Sequence, residues 1–573
     1  MGLASIGDEA TIRFRMTKIL TRLNGLNWKS FIYQPENWVQ PTTSTVIESS
    51  DEGSTPVNVV KAVNAINAMR PGLVGAGVFG TSTALHLKSK YPDAVVTLID
   101  RHDPDAPTRP AASWDWNKVV RADYRDITYC RIALEAQDKW RTSSLWSPYY
   151  HETGIYWISR TGFAQQVVDN FKALSRDAEL YALPVQEARK LYGGIFDSAD
   201  YEGVDKVLIN KTSGWAAAKD ALQAGIKRAI NLGVKFVTAE VDQLEFDYEH
   251  CCVGVRVDDG STVTADRTIL CTGAFTPVLL ERSADKISRD ALRPKGRMIA
   301  AGVTTGLVTL DEKTLKTFED MPVCIQENPT HRGPSNGTLP PNNENQLKFW
   351  GQSIFQFPQG TPTFSQPPTG SDYQQWEVPE TLKTDVAVAS EATFGKRGAN
   401  WKIHTHRICW DCVTPNDDFI ISPHSASTGL FIATCGSFHG WKFLPVIGDY
   451  VVQMLDDTLE PDLKKKWAWD RPIPKTPGRE WPRLYLSSVL PVARNIVFGT
   501  ITKAQLGNSI SAALVIVTEA LGQPLMSYCI TPDFGLSAKY HGLTRAELDF
   551  KLPNQPEVHV RNSTTRRVSL AMT

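Results

Sequence analysis

The stretch Gly72-Leu-Val-Gly-Ala-Gly-Val-Phe-Gly80 constrains this chain more than any other, because its glycines run straight into a helical segment, Thr81-Ser-Thr-Ala-Leu-His-Leu-Lys88. Gly75, Gly77 and Gly80 fit G-x-G-x-x-G. The first permits a tight turn, the second lets a pyrophosphate approach the backbone, and the third lets helix and strand pack closely. The helix N-terminus offers free N–H groups and a positive dipole end to phosphates. Ala94-Val-Val-Thr-Leu-Ile-Asp100 then reads as a second strand ending in an acid, placed where a ribose hydroxyl needs an acceptor. A bare glycine triplet is as often an ordinary turn. With helix, strand and terminal Asp100 in order, the stretch predicts a dinucleotide site, and Val78, Phe79 and Arg101 join its candidate residues. The preceding Arg70-Pro71 fits badly, since proline cannot donate to a central ladder. The first strand is therefore expected to be short or imperfect.

A chain of 573 residues is too long for one ordinary core, so two or more domains are expected. Hydrophobic residues at 42% and charged residues at 21% are ordinary globular values and exclude a mainly disordered chain. Lys plus Arg total 61 against 62 Asp plus Glu, which gives no electrostatic reason to expect nucleic acid or an anionic membrane as partner. The 9 cysteines are odd in number and scattered, which favours a reducing, cytoplasmic setting over a disulfide framework. The N-terminus lacks a secretory pattern, and the longest apolar run, Ile510–Val517, is far below the ~20 residues of a membrane span.

Residues 1 to about 70 lack periodicity and read as a poorly ordered arm with a possible short helix at Thr11–Leu23. After the βαβ unit comes a loop ending in Ser113-Trp-Asp-Trp-Asn-Lys-Val-Val-Arg121, then an amphipathic helix from Tyr129 to Trp140. Ile155–Ser159 reads as a strand, and Gly214 to Leu232 as a helix. Val234–Val237, Cys252–Val257 and Thr262–Ala265 resemble an inserted meander. Arg267-Thr-Ile-Leu-Cys-Thr-Gly-Ala274 is a short buried strand with a second close-approach turn at Gly273. Its return to the nucleotide sheet implies a cofactor domain assembled from separated segments. Residues 300 to 400, rich in Pro, Gly, Asn and Thr, are expected to form a sheet with long loops that covers the substrate. There Gln346-Leu-Lys-Phe-Trp350 is a short strand with one lysine, Lys348, among apolar neighbours. Gly429-Leu-Phe-Ile-Ala-Thr-Cys-Gly-Ser-Phe-His-Gly-Trp-Lys442 repeats the theme of buried strand and glycine turn, with a helix from Pro445 to Leu455. The apolar segments Ser487–Phe498 and Ile510–Leu521 find no place in the core.

Together these segments resemble the FAD-dependent amine oxidases of the monomeric sarcosine oxidase family, particularly the fungal fructosyl amino acid, saccharopine and pipecolate oxidases. The resemblance covers roughly residues 72 to 482. Its most specific part is Cys409-Trp-Asp-Cys-Val-Thr-Pro-Asn-Asp-Asp-Phe-Ile-Ile421 followed by Gly436-Ser-Phe-His-Gly-Trp-Lys-Phe443. It implies an α/β (α+β) fold: a discontinuous Rossmann-type FAD-binding domain over 71–150, 205–292 and 400–482, and a mixed-sheet substrate domain over 151–204 and 293–399. Residues 483–573 remain an unassigned extension. By residue type alone Cys409 is most often a small buried hydrophobe. The resemblance makes it the point where the flavin is attached covalently. Cys409-x-x-Cys412 lacks a second ligand pair at zinc spacing, so no metal is expected.

The resemblance further implies that Lys348 lies beside the flavin ring and promotes reaction with oxygen, where a fixed cation stabilises superoxide. Taken singly it would be a strand lysine facing water. Arg121 and Lys442 match the two cations that hold the substrate carboxylate, an arginine fork and a point charge. Lys118 matches a basic residue beneath the flavin, and His439 a histidine by the ring that could equally be a packed core residue. Ser113, Gly436 and Lys442 complete the expected cofactor contacts. The implied reaction oxidises a secondary amine, such as an N-substituted or cyclic amino acid, to an imine that water hydrolyses, with O2 reduced to H2O2. A dehydrogenase with another acceptor, a tailoring oxidoreductase and an inactive binding protein stay open. A monomer is expected. Relatives often end in a peroxisomal tripeptide, whereas this chain ends Ala571-Met-Thr573.

Overall fold

Pro71–Val74 forms a four-residue buried strand that pairs in parallel with Thr97–Asp100 on one side and Arg267–Leu270 on the other. Pro71 occupies its first position, where a missing donor costs least. Arg70, just outside, gives its N–H to Asp266 Oδ2 at 3.0 Å. The strand is short, as Arg70-Pro71 implies, yet central. The sheet runs Ile420–Pro423, Leu430–Thr434, Arg267–Leu270, Pro71–Val74, Thr97–Asp100, Lys235–Thr238, so segments far apart in the chain build one nucleotide-binding layer. The helix Val78–Lys90 begins within the glycine turn, three residues before the expected Thr81.

This is a computed structural model. It describes residues 70–485 except 107–108, 329–334, 360–363 and 369–374, together with the backbone of short strands between residues 497 and 570. The expected N-terminal arm with its helix at Thr11–Leu23 lies outside the described residues. Among the strands beyond 485, Val497–Thr500, Ala513–Val517, Met526–Ile530 and Leu536–Lys539 form an antiparallel sheet that takes in parts of the two unplaced apolar segments.

The second, larger sheet is mixed. Its order is Thr405–Val413, Ile299–Thr309, Gln346–Gln356, Asn336–Leu339, Val323–Gln326, Ile155–Ser159, Lys206–Asn210, Leu180–Leu183. Two of its strands, Lys206–Asn210 and Thr405–Val413, come from ranges expected in the cofactor domain, so the boundaries at 205 and 400 cut across this sheet. Gln346–Gln356 is eleven residues long, not a short strand. The region 300–400 also contains a fifteen-residue helix, Glu380–Phe394, where sheet and loops were expected. Leu382, Val386, Ala389 and Phe394 give that helix a buried stripe at helical spacing, which outweighs the surrounding loop-like composition.

Two further expectations change. Lys235–Thr238 is the parallel edge strand of the nucleotide sheet, and the meander is Val241–Phe246, Cys252–Val257 and Thr262–Thr264 instead. Gly214–Ala217 is a strand against Asn117–Val120, and the helix starts only at Ala218. Ladder partners distant in sequence override the helical preference of the alanines there.

Candidate active site

Three glycine turns line one long cleft: Gly75 and Gly77, Gly273, and Gly436 with Gly440. Gly75 has φ +100°, and a Cβ there would stand 2.6 Å from the Cys271 carbonyl oxygen. A Cβ on Gly80 would stand 1.9 Å from the Gly75 carbonyl oxygen, so only glycine lets the helix close on its own turn. Ser113 Oγ crowds the Cβ direction of Gly77 at 3.3 Å. No side chain caps the helix at Gly77 and no acid lies in its first turn, leaving the N–H groups of Val78 and Phe79 to an anionic ligand. Asp100 accepts the Ala76 N–H at 2.8 Å and the His102 N–H at 2.9 Å. Burial works to raise its pKa, but His102 and Arg109 with these N–H bonds outweigh it and hold the carboxylate below its ordinary range. Arg101 lies over the Phe275 ring at 4.1 Å and lines the same cleft. In the last turn Cys435, Ser437 and Phe438 all have positive φ. Asp411 holds this strained backbone by accepting the Phe438 N–H at 2.8 Å.

The charged centre of the site is Asp115, fully buried. Its Oδ2 lies 2.5 Å from Lys348 Nζ and 2.5 Å from Lys118 Nζ, and its Oδ1 lies 3.7 Å from Arg407 Nη1. Strand register explains how Lys348, Arg407 and Cys409 come together. Lys348 pairs with Leu307, Arg407 with Thr305 and Cys409 with Val303, three alternate residues of the strand between them, so all three side chains share one face. Cys409 has no exposed surface; its Sγ receives Arg407 Nη1 at 3.0 Å and donates to Asp115 Oδ2 at 3.7 Å. Burial tends to raise the Asp115 pKa, but the three cations overwhelm it and keep the group ionised far below the carboxylate range. The two lysines respond differently. Lys348, with 3% of its side chain exposed, is pushed down to about 8 by burial despite Asp115. Lys118, with 23% exposed, is raised, Asp115 outweighing burial.

A second cavity, of about 540 Å³, opens beside the first, and Lys118, Phe438 and Trp441 line both. Arg121, Lys442, Lys348 and His439 face it. The Arg121 guanidinium lies 4.7 Å from the centres of the Tyr124 and Trp157 rings. Lys442, 4% exposed, donates to Tyr124 Oη at 2.9 Å and to the His439 carbonyl at 2.6 Å. Burial, then the charge of Arg121, pushes its pKa well below the ordinary lysine value. His439 is hydrogen-bonded at both ring nitrogens, to Tyr124 Oη at 3.1 Å and the Asp417 carbonyl at 2.8 Å. Burial, then Lys442, lowers its pKa to about 3, so the ring is neutral. It therefore supplies geometry, not charge.

The cleft and cavity bring together Lys348, Lys118, Arg121, Lys442 and the glycine turns. Cys409 lines neither space directly; its neighbours Trp410 and Asp411 line the cleft, and its thiol reaches the Asp115 cluster. Sequence reasoning missed Asp115, Arg407, Tyr124 and Asn117. Arg407 stands two residues before Cys409 on a strand, so alternation puts both on one face. Asp115 stands three residues before Lys118 in the stretch already singled out. Its partner lysine, 233 positions away, left no local trace. Among the described residues no cluster of ligands fits a metal ion, and no helix is long and apolar enough to cross a membrane.

The residues present fit a flavin dinucleotide. Buried polar atoms of Asn117, Thr434 and Trp441 beside the two spaces have no hydrogen-bond partner among the described residues. The glycine turns leave a cradle that side chains would fill. A family model described as FAD dependent oxidoreductase matches residues 73–454. The L-saccharopine oxidase of Schizosaccharomyces pombe is 27% identical over 424 residues, which cover 69% of this chain and 92% of that protein. A monomeric sarcosine oxidase of an Arthrobacter species is 23% identical, over 67% of this chain and 91% of its own. Among solved structures, the fructosyl peptide oxidase from E. terrenum superposes with a TM-score of 0.63 at 21% identity, covering 75% of this chain and 99% of that one.

Proposed function

The chain belongs to the family of FAD dependent oxidoreductases, and on that premise we propose that it is an oxidase of secondary amines that carry a carboxylate. One observation bears most of the weight: Arg121 and Lys442 face the same cavity as Lys348 and Lys118, and that cavity shares a wall with the dinucleotide cleft. When bound, the flavin supplies the acceptor for two electrons from the carbon beside nitrogen and passes them to O2.

The residues of this chain do the rest. Arg121 and Lys442 grip the substrate carboxylate, a planar fork beside a point charge. Tyr124 and Trp157 fix the fork, and the neutral His439 fixes Tyr124, so the carboxylate is received in one orientation. Lys348 and Lys442, 3% and 4% exposed, are screened little by water, which strengthens their charges. Lys348 presents a cation where oxygen is reduced, and Lys118 keeps a permanent charge at the junction of the two spaces. Cys409 would carry the covalent link to the flavin, its sulfur, once it has given up the thiol proton, still accepting from Arg407. The saccharopine, sarcosine and fructosyl peptide oxidases among its relatives support this reading.

The test uses the flavin-loaded protein with sarcosine, pipecolate, saccharopine and fructosyl amino acids. At least one should bleach the flavin without air and yield peroxide when air is admitted. Bleaching without peroxide would turn the reading to a dehydrogenase. A protein that purifies colourless and binds no FAD would turn it to an inactive binding protein.

A further inference from the structure

The hydrogen bonds around Lys442 define what its nitrogen can do. His439 Nε2 lies 2.8 Å from the Asp417 carbonyl oxygen, which can only accept, so Nε2 carries the ring proton. The ring is neutral, and Nδ1 therefore offers a lone pair. Tyr124 Oη, 3.1 Å away, donates its proton there and turns its own lone pairs to Lys442. Lys442 Nζ then gives one N–H to Tyr124 Oη at 2.9 Å and a second to the His439 carbonyl at 2.6 Å. An amine has two N–H groups, commits both here and keeps a lone pair. An ammonium would have a third N–H for which the described residues provide no acceptor, which is unfavourable for a group only 4% exposed. Both bonds survive a change of protonation, so the nitrogen can gain and lose a proton without moving.

The charges that bear on Lys442 act in the same direction. Burial and then Arg121 oppose its ammonium form, and Asp123 favours that form by less. Asp123 is fully buried and takes hydrogen bonds from Asn210 Nδ2 at 2.7 Å and Ser213 Oγ at 3.2 Å. Other acids along the cavity are engaged, since Asp126 and Asp418 hold Lys466 at 2.7 and 2.9 Å. Asp417 and Glu480 line the cavity too and are the rival acceptors. An acceptor is needed. Hydride leaves the carbon beside nitrogen only when that nitrogen has a free lone pair, which becomes the second bond of the imine. In water the amine of an amino acid is an ammonium that keeps its proton up to pH ~10.

We infer that Lys442 is the proton acceptor for the substrate: as the carboxylate docks against Arg121, Nζ takes the proton of the substrate ammonium, and the lysine cation so formed holds the carboxylate. This rests on the amine oxidase reading and adds a step to it. One N–H bond of the substrate breaks and one Nζ–H bond forms; no electrons are gained or lost, and the net charge of the complex is unchanged. The amine is freed for oxidation only when its own carboxylate is in place, so binding and activation become one event.

The experiment reads the pH dependence of flavin bleaching, by rapid mixing without air, at low concentrations of the fastest-bleaching amine among sarcosine, pipecolate, saccharopine and fructosyl amino acids. With Lys442 as acceptor, the ammonium form of the substrate is the one that reacts, and the second-order rate constant does not rise between about pH 7 and 9. Lys442→Arg keeps a cation for the carboxylate but cannot take the proton, so the reaction has to draw on the small fraction of free amine in solution. Its rate constant, divided by the parent's, should rise about tenfold for each pH unit. Lys442→Met should show the same slope with weaker binding. A slope is a ratio within one protein, so a loss of folded material cancels, and a residue that only held the carboxylate would leave it unchanged. A parent whose rate constant rises with pH, or a Lys442→Arg profile parallel to the parent's, would overturn the assignment; parallel profiles would move the acceptor to Asp417 or Glu480.

A second measurement needs no turnover. 2-Aminoisobutyrate is pivalate with an ammonium in place of one methyl group, and it resists oxidation because the carbon beside its nitrogen bears no hydrogen. Both are titrated calorimetrically into the flavin-loaded enzyme at about pH 8, in buffers of different ionisation enthalpy. Pivalate should draw a proton from solution as it binds, whereas 2-aminoisobutyrate, which brings its own, should draw close to none. Equal proton uptake with the two ligands, or binding of neither, would overturn the proposal whatever the amines do. The expected difference in uptake with no bleaching by any amine would sink amine oxidation and leave Lys442 as the acceptor.

Discussion

Asp115 Oδ2 lies 2.5 Å from Lys348 Nζ in a fully enclosed contact, and the same oxygen serves Lys118 at the same distance. The carboxylate also faces Arg407, so one negative charge balances part of three positive ones and the cluster keeps a surplus of two. Asp115→Asn strands all three cations in a buried setting. Breaking such a group by removing one partner costs roughly 3–5 kcal/mol. The variant should therefore unfold at clearly lower denaturant concentration than the parent at pH 7. The Asp115 pKa is depressed on folding, so its contribution is fully present above the unfolded carboxylate value and fades as pH falls toward the folded one. The gap between variant and parent should accordingly shrink at pH 3, and a gap that widens there would contradict the assignment.

Lys348 carries a prediction about oxygen. Burial pushes its pKa down to about 8, so its cation is present below that pH and lost above it. The reaction of reduced enzyme with O2, followed by rapid mixing, should slow as pH rises through about 8 with the slope of a single proton. Lys348→Met should remove both the pH dependence and ~10²–10³ of the rate, the usual cost of losing one donor at a developing anion. A parent rate flat from pH 6 to 10 would take Lys348 out of this role.

How much of this could be read from the chain depends on where each partner lies. Gly75, Gly77, Gly80 and Asp100 were legible because their geometry is local, a turn and the helix and strand that follow it. That Lys348, Arg121 and Lys442 would face one cavity could be anticipated through a family pattern only, since no periodicity links them. Asp115 was not, because its meaning comes from residues 348 and 407, which strand register carries to it across the larger sheet. The misread strands have the same cause. Lys235–Thr238 looks like one arm of a meander until its parallel partner, Thr97–Asp100, is known. Gly214–Ala217 looks helical until it meets Asn117–Val120.

Cys409 gives a prediction that needs no turnover. Acid denaturation of the purified protein should leave the yellow colour with the polypeptide, on a proteolytic fragment containing Cys409. Cys409→Ala should leave flavin free in the supernatant while the protein still folds, because the substitution removes one sulfur from a site that stays ordered by Arg407 and Asp115. Arg407 donates to the carbonyl groups of Arg109 and Ala111 at 2.9 Å each, which keeps it in place without the thiol. Colour that leaves the parent polypeptide on denaturation would rule out the covalent link.

Lys442 makes substrate binding a proton-linked event. Burial and then Arg121 hold its pKa well below the ordinary lysine value. A carboxylate placed between Arg121 and Lys442 reverses that balance, since an opposite charge at hydrogen-bond distance favours the ammonium form. At any pH above the lowered Lys442 value a carboxylate ligand should therefore take up a proton as it binds, and there its affinity should weaken as pH rises. Calorimetric titration in buffers of different ionisation enthalpy reads this directly, as a heat that varies with the buffer. Lys442→Met should abolish the buffer dependence and raise the dissociation constant by roughly ten- to a hundredfold, the loss of one charge-assisted hydrogen bond. An observed heat that is the same in every buffer would mean that Lys442 is already charged before the ligand arrives, and that the carboxylate owes its capture to Arg121 instead.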